Sequence, residues 1–109
     1  MESDDTTWHL EVSRSADRTV LHLRGEFDLV TAPQILGSVE EHLAAPTGEL
    51  VMDLRGLSFI DSSGLSALIR MNQRLAGAGR GFSIVPPPHN VAKVFQITGL
   101  DQVLPLQPA

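Results

Sequence analysis

The stretch GLSFIDSSGLSALI, residues Gly56–Ile69, changes character at its centre. A mostly apolar run ends at Asp61, two serines and a glycine follow, and apolar residues then recur at helical spacing. Because Asp is a favoured N-cap residue, the stretch predicts a strand that ends near Asp61 and a helix that begins with Ser62 and Ser63. Capping needs only one polar side chain, so it does not explain why two hydroxyls are adjacent here.

Strand-like segments precede this junction. The segments TWHLEVS (7–13) and RTVLHLRG (18–25) place apolar residues at every second position, which is the period of a half-buried strand. The connection between them is short and polar, so we expect an antiparallel hairpin. The segment ELVMDLRG (49–56) is almost continuously apolar from Leu50 to Leu54, as is typical of a parallel strand covered on both faces.

Two more strands are expected after the junction. The segment FSIV (82–85) is short and apolar and predicts a fourth strand. The segment QVLPL (102–106) is interpreted as a final strand at the edge of the sheet, because Pro105 cannot donate a ladder hydrogen bond.

Three segments have the apolar spacing of helices. In the first, residues 31–45, Thr31 and Gln34 match a capping box at the N-terminus. The second follows the capping aspartate and ends in the glycine-rich segment GAGRG. The third is short, covers residues 89–98 after three prolines, and is followed by Gly99, which is suited to a left-handed C-cap.

These elements predict an α/β fold of order ββαβαβα, in which the first two strands form an N-terminal hairpin and the helices pack on a small mixed sheet. The chain has 109 residues, of which 42% are hydrophobic, so we expect one domain with a folded core over residues 1–109. Residues 1–6 and 107–109 are expected to be flexible ends.

Composition excludes several classes of partner. The net charge is −5 and the eight lysines and arginines are dispersed, which argues against direct binding to nucleic acid. The absence of cysteine excludes disulfides and thiolate metal sites and fits a reducing compartment. The first residues are acidic, unlike a signal peptide, and no apolar run approaches the ~20 residues that span a bilayer. We therefore expect a cytoplasmic protein with no membrane partner.

The sequence also argues against an enzyme. No Gly-x-Ser-x-Gly element or P-loop is present, and the four histidines are scattered along the chain. Asp53 and Asp61 lack a third acid in a recognisable pattern, so we expect no metal and no cofactor. If Asp53 is buried in its apolar strand it needs a hydrogen-bond partner, which the sequence does not identify.

The adjacent serines have two interpretations. They are either small first-turn residues beside a capping Asp, or a functional site, because α/β sheets carry their sites at the carboxyl ends of parallel strands. A hydroxyl in the first turn lies at the positive end of the helix dipole, where a phosphate would not melt the helix. Ser62 is therefore a candidate phosphorylation site whose effect would be felt by a docked partner.

Several motifs together resemble the STAS domain family, and more closely its stand-alone anti-sigma factor antagonists. They are VMDLRG followed by LSFIDSSGLSALI, with RGEFDLVTAP upstream and VAKVFQITGLDQVLPL downstream. The resemblance extends from about Trp8 to Leu106 with the motifs in the same order and spacing. The Asp-Ser-Ser-Gly-Leu element is moderately specific by itself, and its combination with the flanking motifs makes the resemblance strong.

The resemblance implies a phosphorylation switch. The unphosphorylated antagonist binds an anti-sigma factor that is also a serine kinase, and so releases a sigma factor. Phosphorylation of the serine directly after the motif Asp, which is Ser62 here, ends that binding, and a serine phosphatase restores it. Ser63 is the alternative acceptor, and Ser66 adds a third hydroxyl where relatives often have glycine.

Partner-binding residues are implied by the family pattern or by position near Ser62. They are Glu26, Asp28, Thr31, Asp61, Ser63, Gly64, Leu65 and Ser66. For Thr31 a capping role, and for Leu65 simple burial, are the alternative interpretations. The alternative function is a STAS accessory or scaffold subunit, of a transporter or of a signalling complex, that binds its partner constitutively. In that case Ser62 would only begin a helix.

Overall fold

The computed structural model describes residues 8–45 and 48–108, so the expected flexible segment 1–6 lies outside the described residues. Its strands are β1 (Trp8–Arg14), β2 (Arg18–Phe27), β3 (Glu49–Ile60) and β4 (Phe82–Val85). Its helices are α1 (Thr31–Leu43), α2 (Ser62–Gly77) and α3 (His89–Thr98), with a 3₁₀ turn at Leu100–Gln102. The predicted order ββαβαβα is confirmed.

The strands form one mixed sheet in the order β1-β2-β3-β4. β1 pairs antiparallel with β2, whereas β2 with β3 and β3 with β4 are parallel. The carboxyl ends of β2 and β3 therefore lie at the same edge of the sheet, where the amide of Asp61 donates to the carbonyl oxygen of Phe27 at 3.3 Å. This edge brings the loop before α1 next to the start of α2.

The core lies between the sheet and the first two helices. Alternate residues of β2 and β3 are at most 1% exposed and belong to one apolar cluster with the buried residues of α1 and α2. The strand residues are Leu21, Leu23, Leu50, Met52 and Leu54. The helix residues include Ile35, Val39, Leu68, Met71 and Leu75. Residues 50–54 of β3 are all buried, as their continuous apolar pattern predicts.

The two predicted N-caps have different outcomes. Asp61 caps α2 as predicted, because its Oδ1 accepts from the amides of Ser63 at 2.8 Å and Gly64 at 3.2 Å. The predicted capping box of Thr31 and Gln34 is wrong, since Thr31 is already the first residue of α1. Asp28 holds this end of the helix instead: its Oδ1 accepts from the amides of Val30 at 3.0 Å and Thr31 at 3.2 Å.

The predicted final strand is reduced to a single bridge between Ile84 and Leu106. The reason is that the chain after Gly99 continues as a 3₁₀ turn, in which the amides of Val103 and Leu104 donate to the carbonyl oxygen of Leu100. The carbonyl of residue 105 then accepts from the amide of Ile84, and the amide of Gln107 donates to the carbonyl of Ile84 at 2.7 Å. Gln107, expected at the start of a flexible end, is thus bonded to β4.

The left-handed C-cap predicted at Gly99 is confirmed, with φ at 77°. This conformation is costly for a residue with a Cβ, so glycine is required there to turn the chain from α3 into the 3₁₀ segment.

Candidate functional site

Ser62 and Ser63 are the first two residues of α2. The carboxylate of Asp61 accepts hydrogen bonds from two amides of the first helical turn, those of Ser63 and Gly64, so neither serine hydroxyl is needed for the cap. Ser62 is exposed and Ser63 is partly exposed. The local sequence therefore presents the Ser62 hydroxyl to solvent on a rigid helix start.

Gly64 fixes the position of this helix start against the sheet. A Cβ built on Gly64 would collide with the carbonyl oxygen of Phe27 and would lie 2.8 Å from Cγ1 of Ile60. Only glycine allows α2 to begin this close to the ends of β2 and β3. The contact holds Ser62 beside the loop that follows β2.

That loop carries both ordered polar groups and exposed apolar groups. The hydroxyl of Thr31 accepts from the amide of Asp28 at 2.7 Å, which closes the turn from the other side. Between these two residues, Leu29 and Val30 are 73% and 69% exposed. Large apolar side chains with this exposure, on a loop held by hydrogen bonds, are typical of a surface that binds another protein.

A groove joins the loop and the two helices beside Ser62. Its volume is about 390 Å³. One wall comes from the loop and α1, through Leu29, Ala32, Pro33 and Leu36, and the other from α2, through Ser62, Ser63, Ser66, Ala67 and Arg70. The structure thus places three of the predicted site serines on one apolar groove that ends at an arginine.

Three of the predicted contact residues are buried in the unbound chain. Thr31 is wholly buried, Leu65 is 9% exposed within the core, and Gly64 is buried against Phe27. In this conformation they offer a partner no side-chain surface and instead position the loop and the helix. Glu26, Asp28, Asp61, Ser63 and Ser66 are partly or fully exposed.

Six residues of the groove were not predicted from the sequence: Leu29, Ala32, Pro33, Leu36, Ala67 and Arg70. The first could have been recognised, because Leu29 and Val30 are adjacent apolar residues in a loop and fit neither strand nor helix periodicity. The others depend on how α1 packs against α2.

Asp53, which lies within β3, is 6% exposed, and both of its carboxylate oxygens accept hydrogen bonds. Arg55 donates to it through Nε at 3.1 Å, Nη2 at 2.9 Å and its backbone amide at 3.1 Å. Nδ1 of His22 lies 2.9 Å from its Oδ2. The Arg55 guanidinium is the largest cause that lowers the pKa of Asp53 to about 2, and it outweighs burial, which acts to raise it. These are the partners that the sequence did not identify.

The same cluster places Ser13, His22 and Asp53 in a row across three neighbouring strands. The hydroxyl of Ser13 lies 3.4 Å from Nε2 of His22, which is the order of a nucleophile, a base and an acid. Arg55, however, occupies both carboxylate oxygens of Asp53. The cleft beside the imidazole is lined by Glu11, His22, Leu23, Arg24, Asp53, Arg55 and Gly56, and Ser13 is not among them. We interpret the row as structural.

Among residues 8–45 and 48–108, no group of three or more His, Cys, Asp or Glu side chains could hold a metal ion. No helix of the same ranges is long and apolar enough to cross a membrane.

Comparison with known proteins supports the resemblance. A family model described as "Mlab, STAS domain" matches residues 10–107. An anti-sigma F factor antagonist of Lysinibacillus sphaericus is 36% identical over 86 residues, covering 77% of this chain and 73% of that protein. The fold class expected from the sequence is confirmed by solved structures that superimpose on this chain.

The crystal structure of an anti-sigma factor antagonist from Mycobacterium paratuberculosis superimposes with a TM-score of 0.82. It shares 28% identity, and the alignment covers 99% of this chain and 92% of that one. The Bacillus cell fate determinant SpoIIAA in its phosphorylated form has the same fold, with a TM-score of 0.72, 22% identity and coverage of 93% and 91%.

Proposed function

Because the chain belongs to the STAS domain family, we propose that it is an anti-sigma factor antagonist that works by partner switching. In its unphosphorylated form it binds an anti-sigma factor that is also a serine kinase, and a sigma factor is released. Phosphorylation of Ser62 ends this binding, and a serine phosphatase restores it. The chain acts in the cytoplasm as a regulator and not as an enzyme.

The observation that carries the proposal is the position of Ser62 on the groove. Its hydroxyl is exposed at a capped helix start, and exposed apolar side chains of the neighbouring loop line the same groove. A kinase can therefore reach the hydroxyl, and a partner docked on Leu29 would contact whatever group Ser62 carries. Ser63 is partly exposed and one residue further along, which makes it the second candidate.

Electrostatics give the switch its expected size. A phosphoserine carries about −1.5 to −2 charges at neutral pH. A unit like-charge contact at ~4 Å with an effective dielectric constant of ~20 costs about 4 kcal/mol, which corresponds to roughly a thousandfold in affinity. Asp28 and Asp61 are the chain neighbours of the groove residues Leu29 and Ser62, so an added phosphate joins two charges of the same sign near this surface.

The names of the relatives support this proposal over a constitutive accessory subunit. The Lysinibacillus relative is named as an antagonist of an anti-sigma factor, and SpoIIAA is known in a phosphorylated form. A constitutive subunit would have no need for an exposed hydroxyl on its docking groove. The two functions differ in their sensitivity to a charge at residue 62.

The experiment compares the wild-type chain with Ser62→Ala and Ser62→Asp as baits for partners from the native cells. Ser15→Asp is the matched control, because Ser15 lies in the β1–β2 turn at the opposite end of the sheet. The proposal predicts that wild type, Ser62→Ala and Ser15→Asp retain an ATP-binding kinase and that Ser62→Asp loses it. Equal retention by all four folded baits would favour the constitutive subunit.

Incorporation of phosphate tests the modification itself. The captured kinase, supplied with ATP, is expected to phosphorylate the wild-type chain and not Ser62→Ala. Mass spectrometry of the product distinguishes Ser62 from Ser63 and Ser66, and modification of either neighbour instead would move the switch to that residue.

A further inference from the structure

Arg70 is the one groove residue that carries a positive charge, and neither capping nor the core requires it. It is exposed, lies two turns after Ser62 on α2, and lines the groove together with Ser62 and Ser66. We propose that Arg70 binds the phosphoryl group on Ser62 and that the resulting pair covers the groove. This inference rests on the proposed phosphorylation of Ser62.

Helix geometry brings these two residues towards each other. Ser62, Ser66 and Arg70 are each four residues apart, so successive members of the row are neighbours on one side of α2. At 1.5 Å per residue, the Cα atoms of Ser62 and Arg70 are separated by about 12 Å along the helix axis. Side chains on a helix lean towards its N-terminus, so the Arg70 guanidinium extends over Ser66 in the direction of Ser62.

The chemistry of the row suits a phosphate. The planar guanidinium of an arginine binds two phosphate oxygens at once, and a hydroxyl between the partners can donate to a third. The Ser66 hydroxyl occupies that intermediate position on the groove wall. The proposal thereby gives the exposed Ser66 hydroxyl a physical role.

The next arginine of α2, Arg74, forms an ion pair within the chain. Arg74 donates to Glu40 through Nη2 at 2.7 Å and through Nε at 2.8 Å, and this bond joins α1 to α2. Among the described residues, none of the ion pairs found involves Arg70. Arg70 can therefore form an ion pair with a new anion, whereas Arg74 is already paired with Glu40.

Closure of the groove would add a steric effect to charge repulsion. In the unphosphorylated chain, the apolar wall formed by Leu29, Pro33 and Leu36 is open to a partner. A phosphoserine paired with Arg70 would lie along the facing wall, which α2 forms, and occupy groove space that an apolar side chain of the partner needs. The switch would then resist high salt better than repulsion between exposed charges alone.

The test measures the phosphate directly and needs neither the kinase nor the partner. Phosphoserine is incorporated at residue 62 during synthesis, and ³¹P NMR follows its second pKa, ordinarily about 6. The two chains compared are wild type and Arg70→Gln, with Arg74→Gln as the matched control. Asp28 and Asp61 are present in all three chains, so their effect on the phosphate cancels.

We expect the phosphate to release its second proton more readily beside Arg70. The acid dissociation constant should fall about fivefold in Arg70→Gln, the effect of one charge at ~4 Å in water, and should not change in Arg74→Gln. An unchanged constant in folded Arg70→Gln, or equal changes in both variants, would overturn the proposal. Failure of the native kinase to modify Ser62 would instead count against the proposed function, since this measurement does not depend on it.

Discussion

Two aspartates, one within β3 and one directly after it, have different surroundings and define two regions of the molecule. Asp53 lies in the middle of the strand, is buried, and has both carboxylate oxygens bonded to Arg55 and His22. Asp61 lies at the carboxyl end, where its bonds to the backbone of α2 leave two serines facing outwards. In the first region the polar groups bond one another, and in the second the cap leaves the Ser62 hydroxyl exposed to solvent.

The comparison teaches that the number of polar groups does not identify the functional site. The Asp53 region has more titratable side chains and a cleft of about 420 Å³, yet its buried carboxylate is already paired with Arg55 and His22. The Ser62 region has fewer charges, but it combines an exposed hydroxyl with exposed apolar surface. Protein recognition needs surface that is not yet satisfied, and only the second region provides it.

The largest effect on stability is expected in the Asp53 region. Asp53→Asn removes the charge that Arg55 and His22 bind, and hydrogen bonds to a charged group are each worth about 1.5–3 kcal/mol. We expect the free energy of unfolding to fall by about 2–3 kcal/mol, as measured by urea denaturation at neutral pH. Binding of the captured kinase by the folded fraction should remain unchanged. A loss of binding without a loss of stability would show that this region also contacts the partner.

The second largest effect on stability is expected at acid pH, where Asp53 becomes protonated. The pKa of Asp53 is lowered to about 2 in the folded chain, below the value of an ordinary aspartate, so the unfolded chain binds the proton more tightly. The stabilisation is therefore complete above pH ~4 and is lost as the pH falls towards ~2, amounting to about 2 kcal/mol.

Thermal unfolding followed between pH 5 and pH 2.5 measures this effect. The wild-type curve should be steeper than that of Asp53→Asn, because the variant lacks the titrating carboxyl. Parallel curves would mean that Arg55 and His22 do not hold the carboxylate in solution.

A smaller effect is expected on the groove itself. Leu29→Ala removes apolar surface that a partner would bury, and a fully buried leucine contributes about 1.5–3 kcal/mol, so kinase affinity should fall roughly tenfold. Stability should be unaffected, because Leu29 is 73% exposed in the free chain. Isothermal titration with the captured kinase gives the affinities.

Ile97→Ala is the matched control for the groove. Ile97 is 82% exposed on α3, outside the groove. Its replacement should leave the affinity unchanged. Equal losses of affinity in the Leu29 and Ile97 variants would mean that the docking surface extends to α3 and is not confined to the groove beside Ser62.

The smallest effect is expected at Asp61, which makes it the sharpest contrast with Asp53. Asn caps helices about as well as Asp, so Asp61→Asn should change the free energy of unfolding by less than about 0.5 kcal/mol. The same chemical change at Asp53 should cost several times more. Side-by-side urea denaturation of the two variants tests this, and comparable losses would contradict the different roles assigned to the two aspartates.

Local patterns predicted most of the fold correctly. Alternation predicted the hairpin of β1 and β2, and the continuous apolar run predicted a β3 that is buried on both faces. The junction at Asp61 was predicted because the cap, the strand end and the helix start lie within a few consecutive residues. Such features depend on neighbours along the chain, which the sequence displays directly.

The incorrect predictions concern ends whose bonding partners lie elsewhere. Thr31 fits a capping box by type, but the Thr31 amide, which the Gln34 side chain would bind in such a box, donates instead to Asp28, because the loop folds back on itself. The segment after Gly99 has a strand-like composition, yet burial of Leu104 and the 3₁₀ turn at Leu100 leave one bridge to β4. In both cases tertiary contacts overrode a weak local preference.

By itself, the sequence determined the element order, the capped serine at the start of α2 and the family to which the chain belongs. Only the tertiary structure decided that Asp53 is bonded by His22 and Arg55, that Thr31, Gly64 and Leu65 are buried, and that Arg70 lines the groove with Ser62. The physical reason is that caps and periodicities are interactions between near neighbours. A groove, in contrast, is formed where α1 and α2 pack together, and which side chains line it depends on how both helices rest on the sheet.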